Sequence, residues 1–311
     1  MELIRGLESL KARHRGSVAS IGNFDGVHLG HLAVLKQLTA KARELKCPAT
    51  VVIFEPMPLE YFSRGQPPAR LTRFGEKWRL LSEAGVERLL CLRFDRKLAE
   101  MPAEGFIERV LVAGLGVRYL AVGDDFRFGQ GRRGNYGLLK QAGAAHGFEV
   151  TDSASLILDG ERVSSTRIRS LLMEGDMPGA ARLLGRPYSL SGRVMHGERL
   201  GRKLGFPTAN LALRRKLAPV GGIFAARVRG LGAQAKDAAA YVGVRPALGG
   251  TEPVLETHLM DCSGDLYGRK LTVELLVRLR EDRHFDSLDA LSAQMQQDVR
   301  AAAGWLAEHR T

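Results

Sequence analysis

The chain of 311 residues is short of several things, and each shortage removes a class of protein. Its cysteines, Cys47, Cys91 and Cys262, are odd in number and far apart. They suit neither a disulfide framework nor a CxxC zinc site, and read as ordinary core or surface thiols. No apolar run reaches the 18 or more residues of a membrane-spanning helix. The first residues, MELIRGLESLKARHRG, lack the apolar centre of a signal peptide. Runs of five like charges, internal repeats and low-complexity segments are missing as well. Aromatics make up only 6% of the chain, and few of them stand among the basic residues, so a dedicated nucleic-acid patch has no support. The expectation is a cytoplasmic protein with no membrane and no nucleic-acid partner.

What the chain does have is a formal net charge of +12. Residues 1–190 hold 28 basic and 21 acidic side chains, and residues 191–311 hold 18 and 13. An excess spread this evenly suits polyanionic small substrates. Hydrophobic residues at 45% and charged residues at 26% describe a globular protein long enough for two cores.

The apolar pattern changes character along the chain. Short runs rich in Val and Ile at 18–24, 49–54, 88–94 and 119–122 predict strands. Between them, 31–45, 75–84 and 104–115 carry apolar residues at helical spacing. Strands alternating with helices predict a parallel sheet covered on both faces, with ligands at the carboxyl ends of the strands. From about residue 185 the pattern becomes short strands parted by Gly-rich turns, at 189–195, 223–228, 238–244, 255–260 and 271–279. That predicts an antiparallel barrel, closed by a helix over 287–308 with Asp286 or Ser287 as its cap.

Two strings carry chemistry. In GNFDGVHLGH, residues 22–31, Gly22 and Gly26 permit tight turns beside a ligand. His28 and His31 are three apart, so a helix starting there sets both imidazoles on one face at its N-terminus. Backbone N–H groups and the helix dipole favour a phosphate at such a place. Two imidazole donors there can stabilise charge that builds on an α-phosphate, and Gly30 leaves room for it. In GRKLGFPTAN, residues 201–210, Thr208 and Asn210 offer two oxygens on one side of an extended segment. That suits Mg²⁺ held jointly with nucleotide phosphates. Glu256 in LETHLMD is a candidate base near the barrel mouth, with His258 on the same face of its strand.

The first string resembles the HxGH nucleotidyltransferase superfamily. Its companion is VSSTRIRSLLMEGD, residues 163–176, where Ser164, Ser165 and Thr166 offer hydroxyls and Arg167 and Arg169 guanidinium forks. With VGDDFRFGQGRRG at 122–134, FEPMP at 54–58, LLGRPY at 183–188, GDLYG at 264–268 and LREDRHFDSLDAL at 279–291, the match covers nearly the whole chain. It is to one family, the bacterial bifunctional riboflavin kinase/FMN adenylyltransferases, or prokaryotic FAD synthetases.

The resemblance implies a Rossmann-like α/β nucleotidyltransferase domain over 1–184 and a riboflavin-kinase β-barrel over 185–311. The barrel phosphorylates riboflavin with ATP, and the first domain joins the FMN to AMP from a second ATP. By matching position, His28 and His31 stabilise the adenylyl-transfer transition state. Gly22, Asn23, Phe24, Gly30, Ser164, Ser165, Thr166, Arg167 and Arg169 serve the nucleotide there. Asp125, Phe126 and Phe128 lie toward the flavin. In the kinase, Gly205 and Pro207 approach the nucleotide, Thr208 and Asn210 bind Mg²⁺, and Glu256 takes the ribityl proton. Riboflavin, FMN, FAD and ATP are then the small-molecule partners. The chain departs from the usual pattern at Met57, Phe224, Tyr241, Ala247 and Leu248, where His, Tyr, Asn, Thr and Phe are usual. The Gly-rich stretch 197–205 is a candidate lid.

Overall fold

A computed structural model describes the chain except for residues 124, 154, 197–204, 245–251, 263 and 311. The lid stretch, apart from Gly205, and the Ala247 and Leu248 departures lie outside the described residues. Contacts divide the chain into two compact units, residues 1–68 with 72–163, and residues 69–71 with 164–311.

The first unit is built on a six-stranded parallel sheet. Its strands are β1 (Glu2–Arg5), β2 (Val18–Ile21), β3 (Ala49–Glu55), β4 (Arg88–Arg93), β5 (Tyr119–Gly123) and β6 (Glu149–Ser153), in the order β1-β4-β3-β2-β5-β6. The central strands are apolar on both faces because both faces are covered. Val52 and Phe54 of β3 point into one core, with Ile21, Leu90, Phe106 and Val110. Val51 and Ile53 point into the other, with Leu35, Leu38, Leu81 and Leu89. The edge strands β1 and β6 are short and more polar, which blunts a sheet edge and also hides it from pattern reading. Helices α1 (Leu29–Leu45), α2 (Phe74–Glu83) and α3 (Tyr136–His146) supply the covering layers.

The helix expected over 104–115 takes a different form. One α-turn, Ala103–Phe106, runs into a π-helical stretch, Ile107–Val112. Ala113 N–H bonds the Glu108 carbonyl at 2.8 Å, and Leu115 N–H bonds that of Val110 at 2.9 Å, both five residues back. The wider turn lets Phe106, Ile107, Val110 and Leu111 all be buried in one core.

The second unit is a closed barrel of β9 (Tyr188–Met195), β10 (Ala209–Ala212), β11 (Gly222–Arg229), β12 (Lys236–Val244), β13 (Pro253–Leu259) and β14 (Lys270–Arg280). The order is β10-β13-β12-β11-β14-β9, antiparallel throughout, and a separate hairpin in the first unit pairs β7 (Ile157–Leu158) with β8 (Glu161–Arg162). Alternation along each strand fills the interior with small and branched residues such as Val194, Leu211, Ala226, Ala240, Val242 and Leu255. Phe224 is completely buried among them. A tyrosine hydroxyl there would need a buried partner, which accounts physically for phenylalanine at that departure.

Three helices join this unit: α4 (Ser165–Glu174), α5 (Met177–Leu184) and α6 (Leu288–Glu308). Ser287 caps α6, its Oγ accepting from Ala290 N–H at 3.1 Å. Ala302 and Leu306 of α6 pack on Ala225 and Ala239 of the outer barrel face. Arg280 grips Asp298 of the same helix with two bonds, 2.8 and 2.7 Å. Removing one partner of this largely covered pair leaves the other unsatisfied. Asp298→Ala is therefore expected to cost about 2 kcal/mol of stability, read from a denaturant midpoint. A loss below about 0.5 kcal/mol would mean the pair behaves like an exposed surface bridge.

The division at 163/164 differs from the boundary expected at 184/185. Arg278 of β14 explains it: its guanidinium donates to the carbonyls of Met173 and Glu174 at 3.4 and 2.5 Å, the last turn of α4. A cation there also complements the helix dipole. The next residue, Gly175, has φ +83°, and a Cβ on it would run into that guanidinium. Helix α5 packs on β9 and β14. Residues 69–71 join the same unit because three donors hold their carbonyls. Arg169 Nε bonds Ala69 at 2.7 Å, Arg215 Nη1 bonds Arg70 at 3.2 Å, and the Tyr188 hydroxyl bonds Leu71 at 3.2 Å.

Candidate active sites

In the first unit the site begins where β2 ends. Gly22 N–H still bonds the Val52 carbonyl at 3.1 Å, and then the chain turns sharply. Phe24, Gly26 and Val27 have φ of 47°, 86° and 41°. The left-handed region is unfavourable for phenylalanine and more so for the β-branched Val27, so this turn holds strain of about 1 kcal/mol or more per such residue. The turn delivers His28 to the N-cap of α1. Its Nδ1 accepts from the backbone N–H of His31 at 3.3 Å. With Nδ1 accepting, the ring proton of neutral His28 sits on Nε2.

The two imidazoles are brought together as the spacing predicts. Their rings stack at 3.6 Å between centroids, 18° from parallel, and the Phe24 ring is tilted against that of His31 at 5.0 Å. Gly30 has a reason beyond ligand room: a Cβ there would stand 3.2 Å from the His28 ring and 3.5 Å from the Val163 carbonyl. Gly22 likewise leaves space for the Phe24 ring, 3.2 Å from where its Cβ would be. Asn23 is half-buried beside them.

Aspartate 25 carries a role that sequence reading missed. It is 2% exposed, and its Oδ1 accepts from both the backbone N–H and the hydroxyl of Thr72, at 2.9 and 3.1 Å. The Thr72 hydroxyl oxygen in turn accepts from Gly26 N–H at 2.9 Å. Nothing local marks Thr72, because its partners stand 46 and 47 residues upstream.

The flavin-side candidates follow β5 on a loop rather than continuing the strand. Phe126 and Phe128 stack at 5.5 Å, 15° from parallel. Phe128 is buried against Phe106, whereas Phe126 is half-exposed. Asp125 is exposed and pairs with Arg162 at 3.0 Å. Met57, at the departure in FEPMP, is buried. Partial burial also pushes the Cys91 thiol above its ordinary range, which disfavours the reactive thiolate.

In the second unit, Ser164 is the N-cap of α4, its Oγ accepting from Arg167 N–H at 3.2 Å. Ser165, Thr166 and Arg167 form the first turn, which holds no acidic residue. Arg169 uses its Nε on the Ala69 carbonyl.

The kinase candidates sit on the outer face of the barrel. Asn210 of β10 and Glu256 of β13 are direct cross-strand partners, and Tyr241 of β12 is the partner of Glu256 on its other side. Direct partners share a face, so the three side chains form one row. Glu256 is 9% exposed, although it lies on the outer face. The Tyr241 hydroxyl donates to Asp282 at 2.8 Å. His258, two residues along from Glu256, donates from Nδ1 to the Pro207 carbonyl at 3.0 Å, with Phe206 edge-on to its ring. It thereby ties the segment before Thr208 to β13. Gly205, at φ +86°, is exposed at the start of that segment. Thr208 and Asn210 supply hard oxygen donors of the kind Mg²⁺ takes. Among the described residues no group of three or more His, Cys, Asp or Glu is placed to hold a metal ion.

Residues 10–167 match the FAD synthetase family and residues 184–306 the riboflavin kinase family. Three relatives are described as bifunctional riboflavin kinase/FMN adenylyltransferase. That of Escherichia coli K12 is 48% identical over 96% of both chains. That of Pseudomonas fluorescens is 47% identical over 97% of both, and that of Haemophilus influenzae 44% over 97% of this chain and 98% of its own. A solved structure described as a macrolide-efflux protein from Streptococcus pneumoniae shares the fold, with TM-score 0.84, 28% identity, and coverage of 98% of this chain and 100% of its own. No described helix here is long and apolar enough to cross a membrane. With both family segments present in order, and near-complete overlap with relatives of that description, the chain belongs to the bifunctional riboflavin kinase/FMN adenylyltransferase family.

Proposed function

We propose that this protein converts riboflavin to FMN and FMN to FAD, each with one ATP. The observation that carries the reading is the pair of family segments in one chain, each containing its own set of chemically suited residues.

In the first reaction the Glu256 carboxylate takes the proton from the terminal ribityl hydroxyl. That oxygen attacks the γ-phosphorus of ATP, a P–O bond forms, the β–γ bridge breaks, and ADP leaves. Glu256 is suited to this by its position beside Asn210, and by a cover that keeps bulk water from it. His258 holds the backbone before Thr208, so both oxygen donors keep their place relative to Glu256. Thr208 and Asn210 would hold Mg²⁺, which neutralises phosphate charge when bound with ATP. Gly205 and Pro207 line the nucleotide's approach.

In the second reaction an FMN phosphate oxygen attacks the α-phosphorus of ATP and pyrophosphate departs. No proton need be removed from an ionised phosphate, so donors matter here rather than a base. His28 Nε2–H and the His31 ring meet the charge that builds on the α-phosphate, at the positive end of α1. Gly22, Asn23, Phe24 and Gly30 shape the space around them. Ser164, Ser165, Thr166, Arg167 and Arg169 serve the ATP phosphates, and Asp125, Phe126 and Phe128 the isoalloxazine side.

The direct test is to incubate the purified full chain with riboflavin, ATP and Mg²⁺ and to resolve the flavins over time. FMN is expected first and FAD after it. FMN that never becomes FAD would sink the adenylyltransferase half. FAD only from added FMN would sink the kinase half.

A further inference from the structure

We infer that Asp25 and Thr72 are positioning residues for adenylyl transfer, acting through the turn that presents His28. The inference rests on the reading that His28 serves that reaction.

Three observations converge on it. The turn of Phe24, Gly26 and Val27 lies in backbone conformations that two of those residue types avoid. Such a turn persists only when its surroundings hold it. The holder is visible: a buried carboxylate takes two hydrogen bonds from Thr72, and the Thr72 hydroxyl takes one from Gly26. Thr72 is itself only 6% exposed, so water competes little with these bonds. The clasp closes two residues before His28. His28 then has a second task, accepting from His31 N–H, which fixes its ring over the first turn of α1. Loosening the clasp lets the turn relax toward ordinary φ values. That rotates the backbone at His28 and carries Nε2 away from the place where charge develops. Neither Asp25 nor Thr72 has to touch substrate for this to matter. Ground-state binding uses many other contacts, whereas transition-state charge depends on where one donor points.

The test compares full-length Thr72→Val, Thr72→Ser, Asp25→Asn and His28→Ala with the unaltered chain. Both reactions are assayed on the same preparations. Thr72→Val keeps the shape but removes the hydroxyl. Its kcat for FMN adenylylation is expected to fall about 30-fold, with KM for FMN and ATP within about threefold. Thr72→Ser returns the hydroxyl and is expected to recover kcat to within about threefold. Asp25→Asn keeps an acceptor oxygen and is expected to lose less than Thr72→Val. Riboflavin phosphorylation is expected to stay within about twofold in all three, since the altered residues lie in the first unit. Unaltered kcat in Thr72→Val, equal losses in the Val and Ser variants, or a parallel fall in both reactions would each overturn the inference. Undiminished FAD formation by His28→Ala would instead overturn the reading beneath it.

Discussion

Glu256→Ala is expected to stop riboflavin phosphorylation while FMN adenylylation continues. A positioned general base contributes about 10²–10⁴ in rate, so the loss should be about 10³-fold. The residue's setting gives the reason. A solvated strand glutamate would exchange its proton with water and contribute little. Glu256 is largely covered, shares a face with Asn210, and lies on the strand that His258 ties to the Thr208 segment. Glu256→Gln separates base from brace. It keeps size and hydrogen-bonding capacity but takes no proton, and is expected to be as inactive as alanine. Full phosphorylation by the glutamine variant, measured as FMN from riboflavin, would show that Glu256 orients rather than accepts. With added FMN, both variants should make FAD at the wild-type rate, which also controls for folding.

The second large effect belongs to His28. His28→Ala is expected to lower FAD formation about 10²–10³-fold, the scale of losing one aimed donor to developing charge, and to let FMN accumulate. Alanine also removes the cap of α1, an ordinary structural loss of about 1 kcal/mol. His28→Asn resolves the ambiguity. Asparagine is among the best N-caps and its side-chain oxygen can accept the His31 N–H that Nδ1 now takes. It has no counterpart of Nε2–H at the same reach. Equal inactivity of the alanine and asparagine variants would assign the effect to the missing donor. Recovery with asparagine would assign it to the cap.

Much of this was legible in the sequence, and the exceptions have physical reasons. Central strands such as β3 are buried on both faces and announce themselves as apolar runs. The barrel strands announce themselves by alternation between glycine turns. Strands β1, β6 and β10 are short or half-polar and leave too few residues to establish a period. The π-helical stretch at Ile107–Val112 kept a helical look while its hydrogen bonds shifted by one residue, which composition does not record. The paired histidines were readable because both lie within one helical turn. Thr72 was not, because its meaning comes from Asp25, 47 residues away. The division between compact units at 163/164 was not legible for the same kind of reason. Glycine and proline near 185 mark a change in local pattern, but Arg278 decides where α4 belongs, and it stands over a hundred residues downstream.

The grip on residues 69–71 bears on how such an enzyme can be taken apart. The two family segments look like beads that a single cut would separate. A fragment ending at residue 184 would keep α4 and α5 but lose Arg278, the cap of α4. A fragment beginning at residue 164 would keep that cap but lose the carbonyls of Ala69, Arg70 and Leu71. Its Tyr188 hydroxyl and Arg215 guanidinium, both buried in the intact chain, would then lack acceptors that a distant stretch of polypeptide supplies. No cut in the junction between the two family segments, residues 164–184, spares both arrangements. The sequence reads as a tandem fusion, but a free-standing barrel that keeps these partners has to carry residues 69–71 along with 164–311, joined by a linker in place of 72–163.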